Sequence, residues 1–382
     1  MPMPTTTAPP RPLAPAGREH GPAFRVLRWT VRVLAVLVVV ATLLPFVPSG
    51  AWWVRVFDYP RAQIAALGVL VLAVYAAVAW RGEVGWGGRV LAAALAACVA
   101  VQAVQIAPYT PLVPTTVVQT TGAPPGPTLS LLVANVLLDN READRFLAVV
   151  RRYDPDVVLV LEPDAWWARA LAPLDAAYPY GAKEPLSNTY GMLLYSRRPL
   201  RDLQTRYLVE PDIPSMHARV EVGPGRWAAL HALHPDPPNP QYATDTGERD
   251  GELLLVAREV RERGGPAVVV GDFNDVAWSR TTRLFQETSG LLDPRVGRGT
   301  FSTYNAEWPL LRWPLDHVFH SDHFALVRLE RGPAFGSDHF PVFAELALTP
   351  AAEALQDAPD AEADDLREAD ETIREANPRE SL

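Results

Sequence analysis

Three runs of about 20 apolar residues open this chain, and they restrict its fold more than any other feature. They are WTVRVLAVLVVVATLLPFV (29–47), AQIAALGVLVLAVYAAVAW (62–80) and VLAAALAACVAVQAVQIAPY (90–109). Each has the length a helix needs to cross a bilayer. Buried globular helices are also apolar, but three in succession, separated only by short polar turns, point to membrane insertion. A cleaved signal peptide is the other reading of the first run. Its long N-region, with no small-x-small site after it, favours an uncleaved anchor.

Arginines orient the segment. Arg11, Arg18, Arg25, Arg28 and Arg32 gather at its start, and Arg81 and Arg89 flank the second short loop. The positive-inside rule puts both groups in the cytoplasm, outnumbering Arg55 and Arg61 on the other side. Three crossings then leave everything after Thr110 outside. Charge follows the same division. Residues 1–121 carry nine arginines and three acids, and residues 351–382 carry three arginines and eleven acids. The intervening 122–350 nets −7 of the total −9. Lys183 is the one lysine, which reads as codon bias rather than a binding signature. Cys98 is the one cysteine, so no disulfide forms within the chain and the redox compartment stays open.

Five regions follow. Residues 1–28, rich in Pro, Ala and Thr, are expected to be a disordered cytoplasmic N-terminus, and 29–109 hold the three transmembrane helices. A Pro/Thr/Gly-rich linker covers 110–127. Residues 128–348 alternate short strands (TLSLLVANVLL, PDVVLVLE, GMLLYS, PAVVVGDFN, LDHVFH, PVFAELAL) with helical spacing such as DGELLLVAREVRER, the pattern of an α/β or α+β layered domain. Residues 349–382 are acidic and poor in large apolar groups, and are expected to be a solvated tail, with a short surface helix as the alternative.

Polar groups recur where these apolar strands stop. Asn135 interrupts LLVANVLL, Glu162 ends VVLVLE, and His231 and His234 close WAALHALHP. Asp272 and Asn274 follow AVVVG, Asp316 opens LDHVF, and Asp338 and His339 precede FPVFAEL. Each has a plain alternative: GDFN is a good turn, and a lone histidine is more often structural. Six strand ends bearing carboxylates, amides and histidines are harder to assign to turns alone, since strand-end loops are where rigid scaffolds place reactive groups. The chemistry they suit is phosphoryl transfer. Glu162, Asp338 and the Asn135 amide are hard oxygen donors for Mg²⁺ or Mn²⁺. Asp272 and Asn274 lie on one face of an extended segment, one to orient or deprotonate water and one to donate to the transition state. A carboxylate such as Asp316 beside His339 would favour its imidazolium.

These segments, in their order, resemble the endonuclease/exonuclease/phosphatase superfamily, the fold of DNase I and the neutral sphingomyelinases. The most specific are VVVGDFND and GSDHFPV. The resemblance covers about residues 128–348 and implies a four-layer α/β sandwich of two facing β-sheets flanked by helices. It implies Asn135, Glu162 and Asp338 at the metal, Asp272 as the water-activating acid, Asn274 at the transition state and Asp316 orienting His339. It further implies a phosphate-binding histidine, for which His234 is preferred and His231 aligns about as well. The tetrapeptide SDHF occurs twice, at 321–324 and 337–340, and the family pattern selects the second. Three N-terminal helices ahead of such a domain resemble the VanJ-like and YafD-like branch, associated with envelope-lipid phosphate chemistry. The expectation is a membrane-anchored, metal-dependent phosphohydrolase at the outer face, acting on a lipid-linked phosphate. An exported nuclease is the alternative, which the acidic domain disfavours because phosphate backbones call for a basic stripe. A receptor-like domain without activity is a third reading, and the full set of acids counts against it.

Overall fold

The computed structural model describes residues 21–80, 85–237 and 245–377. Most of the expected disordered N-terminus (1–20), together with Arg81 and the last residues of the tail (378–382), lies outside them. Helix α1 (Pro22–Leu43) begins with proline in its first turn, where the missing N–H costs nothing. It therefore starts seven residues before the apolar run expected to open it. A short helix, α2 (Trp52–Arg55), lies in the loop to α3 (Arg61–Trp80), and α4 (Trp86–Ile106) completes the segment. Ala35, Val38, Val71 and Leu95 form the seam between α1, α3 and α4. Three helices here are long and apolar enough to cross a membrane. Their outward faces carry exposed Leu37, Val69, Leu70 and Val104.

The remaining elements are β1 (Thr128–Asn135), α5 (Ala143–Tyr153), β2 (Val157–Leu161), α6 (Ala165–Ala170), β3 (Tyr180–Glu184), β4 (Met192–Ser196), β5 (Leu200–Arg206), β6 (Ser215–Gly223), β7 (Arg226–Leu233), α7 (Gly247–Arg263), β8 (Ala267–Asp272), α8 (Arg280–Ser289), β9 (Asp316–His320), β10 (Phe324–Arg331), β11 (Val342–Leu348), α9 (Pro350–Glu353) and α10 (Ala363–Ala376). Two mixed sheets result, ordered β10-β11-β1-β2-β4-β3 and β5-β6-β7-β8-β9. Alternation along each strand explains the layers. On β1, Leu129, Leu131 and Val133 enter the core between the sheets, where they meet Val220, Leu230 and Val270. Leu132 and Ala134 face the other way, onto Phe146 and Val150 of α5 and Trp167 of α6. On the far side, Val269 and Phe319 meet Leu253, Val256 and Phe285 of α7 and α8. The order is helices, sheet, sheet, helices, which is the four-layer sandwich expected.

Two segments depart from expectation. Within the 110–127 linker, Val117 is fully buried in the inter-sheet core and Thr120 donates its N–H to Leu326 O (2.9 Å), so this stretch straps the edge strand β10. The acidic tail, expected to be solvated, instead forms α10 and lies against α7 and α8. Ala369 and Ile373 are buried there, and Arg280 pairs with Glu368 (2.5 Å). Two small apolar residues at helical spacing are enough when neighbouring helices supply the rest of the surface and the arginines.

Candidate active site

The two sheets bring their strand ends together at one edge. Asn135 ends β1 and Leu161, its register partner, ends β2, so Glu162 emerges beside it. In the other sheet Asp272 ends β8 directly opposite Asp316, which opens β9. Asn135 bridges the sheets: its Nδ2 donates to Glu162 Oε1 (2.7 Å) and to Asp272 Oδ2 (3.2 Å). His339 closes the group, its Nδ1 2.8 Å from Asp316 Oδ2 and 3.6 Å from Asp272 Oδ2.

The backbone is shaped for this. Gly271 has φ +146, and a Cβ there would sit 1.9 Å from Leu233 O. Only glycine lets β8 approach β7 so closely immediately before Asp272. Gly336 has φ +109 and a Cβ would press on Asn140 and Glu142, which fixes the turn into Ser337-Asp338-His339. Glu162 (φ 62) and Asn274 (φ 48) adopt left-handed backbone without being glycine. Such conformations cost on the order of 1 kcal/mol each and persist where surrounding structure enforces them. At Asn274 the enforcement is visible. Its N–H donates to Asp272 Oδ1 (2.9 Å), its Nδ2 to Pro235 O (2.9 Å), and its carbonyl accepts from Arg249 Nη1 (2.8 Å) and Tyr59 Oη (2.5 Å). Ser337 ties the last loop to β1, donating to Asn135 O (2.8 Å) while accepting from His339 N (3.0 Å).

Charge is concentrated where water is scarce. Burial opposes a charge on His339, but Asp316 and Asp272, with the direct hydrogen bond to Asp316, outweigh it and raise the imidazole to about 10. The ring is therefore an imidazolium at neutral pH. Burial pushes the Asp316 carboxyl up, and the His339 charge pulls it back. One atom from each of Asp272, Asp316 and His339 lies within 4.8 Å of the others, a spacing that would also suit a metal. The nitrogen facing the acids already donates to Asp316, so this trio is a hydrogen-bonded, charge-compensated set rather than a cage. The donors that fit a hard cation are Glu162 and Asp338, carboxylates that line the same cleft as Asp272, Asn274 and His339. Asn135 does not present an oxygen. Its Oδ1 accepts from Leu137 N (3.0 Å) and its nitrogen faces the acids, because an amide N–H beside two carboxylates binds where an oxygen would be repelled.

The cleft holds about 500 Å³. Opposite its polar floor stand Val56, Tyr59 and Pro60, from the loop between α1 and α3, with Leu311, Trp313 and Leu315. Nothing in the local sequence marks Tyr59, because its partners Asn274 and Trp313 lie more than two hundred residues away along the chain. The one available signal was Asp58, a lone acid between two apolar runs. Its carbonyl accepts from Trp278 Nε1 (2.7 Å), and its side chain pairs with Arg61 (2.5 Å). A larger groove of about 840 Å³ is lined by the loop between α1 and α3, α7 and α10, with Asp245, Glu248, Glu368 and Glu371 along it.

Seven of the eight expected site residues thus converge: Asn135, Glu162, Asp272, Asn274, Asp316, Asp338 and His339. His234 follows β7 and is buried, its Nδ1 without a hydrogen-bond partner among the described residues and its ring 5.7 Å from Tyr190. It does not line the cleft. His231 is elsewhere, its Nδ1 2.7 Å from His217 Nδ1 on the neighbouring strand.

The chain is similar to parts of several solved structures and curated proteins. A structure from Beutenbergia cavernae, described as an endonuclease/exonuclease/phosphatase, is 21% identical and covers 58% of this chain and 72% of its own, with a TM-score of 0.47. The human Nocturnin catalytic domain is 18% identical over 59% of this chain and 97% of its own, with a TM-score of 0.46. Among curated proteins, a UPF0294 protein of Vibrio campbellii is 25% identical over 169 residues, 44% of this chain and 49% of the relative. One from Vibrio cholerae is 28% identical over 134 residues, 35% of this chain and 45% of the relative. The chain spans about half the length of the curated relatives it matches. Members of the Endonuclease/Exonuclease/phosphatase family are phosphoester hydrolases, typically dependent on a divalent metal. That family's model matches residues 132–339, more than half of the chain and inclusive of all seven converging residues, and the chain belongs to the family.

Proposed function

We propose that this protein is a membrane-anchored, Mg²⁺- or Mn²⁺-dependent phosphohydrolase whose substrate is a lipid-linked phosphate or diphosphate at the outer membrane face. The observation that carries the reading is a single cleft with two walls. One is the Glu162, Asp272, Asn274, Asp338 and His339 set, and the other is a loop between two helices of membrane-spanning length. The sidedness is supported by the arginines. Arg25, Arg28 and Arg32 on α1 and Arg89 on α4 lie toward the helix ends remote from the catalytic domain.

Glu162 and Asp338 would hold the ion, which supplies Lewis-acid polarisation of a phosphate oxygen. Asp272 orients an attacking water and takes its proton, held in position by Asn135 Nδ2. The His339 imidazolium offsets charge developing on the phosphoryl oxygens, and Asp316 keeps the ring charged and aimed. Asn274 is locked by four hydrogen bonds beside that position. A net charge of −7 over 122–350 disfavours a polyanionic strand as substrate.

The test is phosphoester hydrolysis by the full-length protein in detergent, with and without Mg²⁺, beside Asp272→Ala, read as phosphate from a diphosphate and as cleaved product from a phosphodiester. Polyprenyl diphosphate, a phosphodiester lipid and DNA are offered in parallel. Metal-dependent release from the diphosphate, abolished in the variant, is the expected result. Cleavage of DNA in its place would overturn it in favour of a nuclease.

A further inference from the structure

The apolar wall of the cleft has no part in phosphate chemistry, yet it is built with care. Tyr59 packs edge-on against Trp313 (5.9 Å between ring centres), Trp313 stacks on Tyr304 (6.0 Å), and Tyr304 lies 5.0 Å from the ring of His339. A continuous aromatic row thus runs from the loop preceding α3 to the proposed catalytic imidazolium. The segment carrying Trp313 is itself fastened to α3, since Gln63 Nε2 donates to Leu310 O (2.8 Å). Just outside the cleft on that segment, Trp308 and Leu310 are 64% and 83% exposed. Solvent-facing Trp and Leu at the end of a helix of membrane-spanning length are what a bilayer interface accommodates.

We propose that this wall is a binding subsite for the hydrocarbon chain of a bilayer-resident phosphate ester. The inference rests on the phosphohydrolase reading and deepens it. The phosphate sits at Glu162, Asp338 and His339. The first chain carbons lie against Val56, Pro60, Leu311 and Trp313, and the rest of the chain stays in the leaflet, leaving past Trp308 and Leu310 alongside α3. One occupant is favoured for three reasons. The wall is apolar where the floor is charged, which matches an amphiphile. Half of it belongs to the anchor loop, so it opens at the level of the membrane surface. Exposed Trp308 and Leu310 lie on the same segment as Leu311 of the wall. Burying a few methylenes there contributes binding that a short soluble ester cannot obtain.

The experiment compares two diphosphates with the same headgroup, a five-carbon prenyl diphosphate and a long-chain polyprenyl diphosphate, with the full-length protein in mixed micelles containing Mg²⁺. Wild type should show a higher kcat/KM for the long chain. Leu311→Gln and Val56→Asn, both at half-exposed positions, should each lower the long-to-short ratio of kcat/KM about tenfold. Leu311→Met should retain the ratio. Hydrolysis of both substrates with a ratio unchanged in both polar variants would overturn the subsite and leave the phosphohydrolase reading intact. Hydrolysis of neither by wild type, with DNA strands cleaved instead, would overturn both.

Discussion

Ser321-Asp322-His323-Phe324 and Ser337-Asp338-His339-Phe340 have the same four side chains in the same order, and the fold sends them to opposite ends of one sheet. The first follows β9 where His320 pairs with Val268, at the start of β8. The second packs where Asp316 pairs with Asp272, at the end of β8. Four residues of strand, roughly 13 Å, separate those ends. The serines do similar work in both places. Ser321 Oγ accepts from Ala267 N (3.1 Å) to fix the start of β8, and Ser337 Oγ donates to Asn135 O (2.8 Å) to fix the end of β1. The acids and imidazoles differ. Asp322 and His323 face each other at 3.0 Å, partly in solvent. Asp338 and His339 join a site where three further carboxylates, Glu162, Asp272 and Asp316, converge. What the tetrapeptide does is set by the strand end that receives it.

The largest effect expected from breaking this comparison is at His339. His339→Ala should lower kcat about a hundredfold to ten-thousandfold, the usual contribution of a positioned acid–base or charge-stabilising group. Phosphate release at saturating substrate measures it. A loss below about threefold, with folding confirmed, would remove His339 from the chemistry. Asp316→Asn should cost less, about ten- to hundredfold in kcat, because the ring remains but its charge is no longer held by its nearest acid.

A related contrast, between an imidazole held by strand-end acids and two imidazoles that face each other, appears inside the domain and makes a stability prediction. His217 and His231 face each other across β6 and β7, with Ser215 Oγ 2.9 Å from His217 Nε2. Burial and the opposite ring hold His217 down to about 2, and burial holds His231 down to about 4 despite Glu259. Both are neutral in the folded state, whereas in the unfolded chain a histidine titrates near 6.5. As pH falls below about 6.5 the unfolded state takes up protons that the folded state refuses, so stability present at neutral pH is lost from about 6.5 down to about 4 for His231 and to about 2 for His217. The loss from pH 7 to pH 5 should be about 1–2 kcal/mol per histidine. Denaturant melts at the two pH values measure it, and replacing the pair by His217→Gln and His231→Gln should flatten the dependence. A pH dependence equal in wild type and the double variant would place the acid sensitivity elsewhere.

The strand-end acids were legible in the sequence because each interrupts or closes an apolar run, and a polar residue there is conspicuous. A layered α/β or α+β domain was legible for the same reason, since the runs have strand length and helical spacing separates them, and the four-layer sandwich followed from the family resemblance. Asn135 was readable as a site residue, but the orientation of its amide was not. That depends on Glu162 and Asp272, which arrive from elsewhere in the chain. Helix α10 was hidden by its acidity, because its partners, Arg280 and the apolar faces of α7 and α8, are remote in sequence. The cleft wall of Tyr59 and Trp313 was hidden most completely, since neither residue has a local pattern and their meeting depends on how the anchor loop docks.

The smallest effect is expected at the other tetrapeptide, and it sharpens the comparison most. His323→Ala removes the same side chain from the same four-residue context as His339→Ala. The turn at 321–324 keeps its hold on β8 through Ser321, and Phe324 remains buried in the inter-sheet core, so the fold should lose no more than about 0.5 kcal/mol. The imidazole of His323 faces no strand-end acid of the site, so kcat and KM should match wild type within error. A parallel assay of the two variants, with melting curves for both, reads the whole difference at once. A catalytic defect in His323→Ala comparable to that in His339→Ala would mean that the end of β9 remote from Asp316 takes part in the reaction, and the assignment of the cleft would have to be redrawn around both copies.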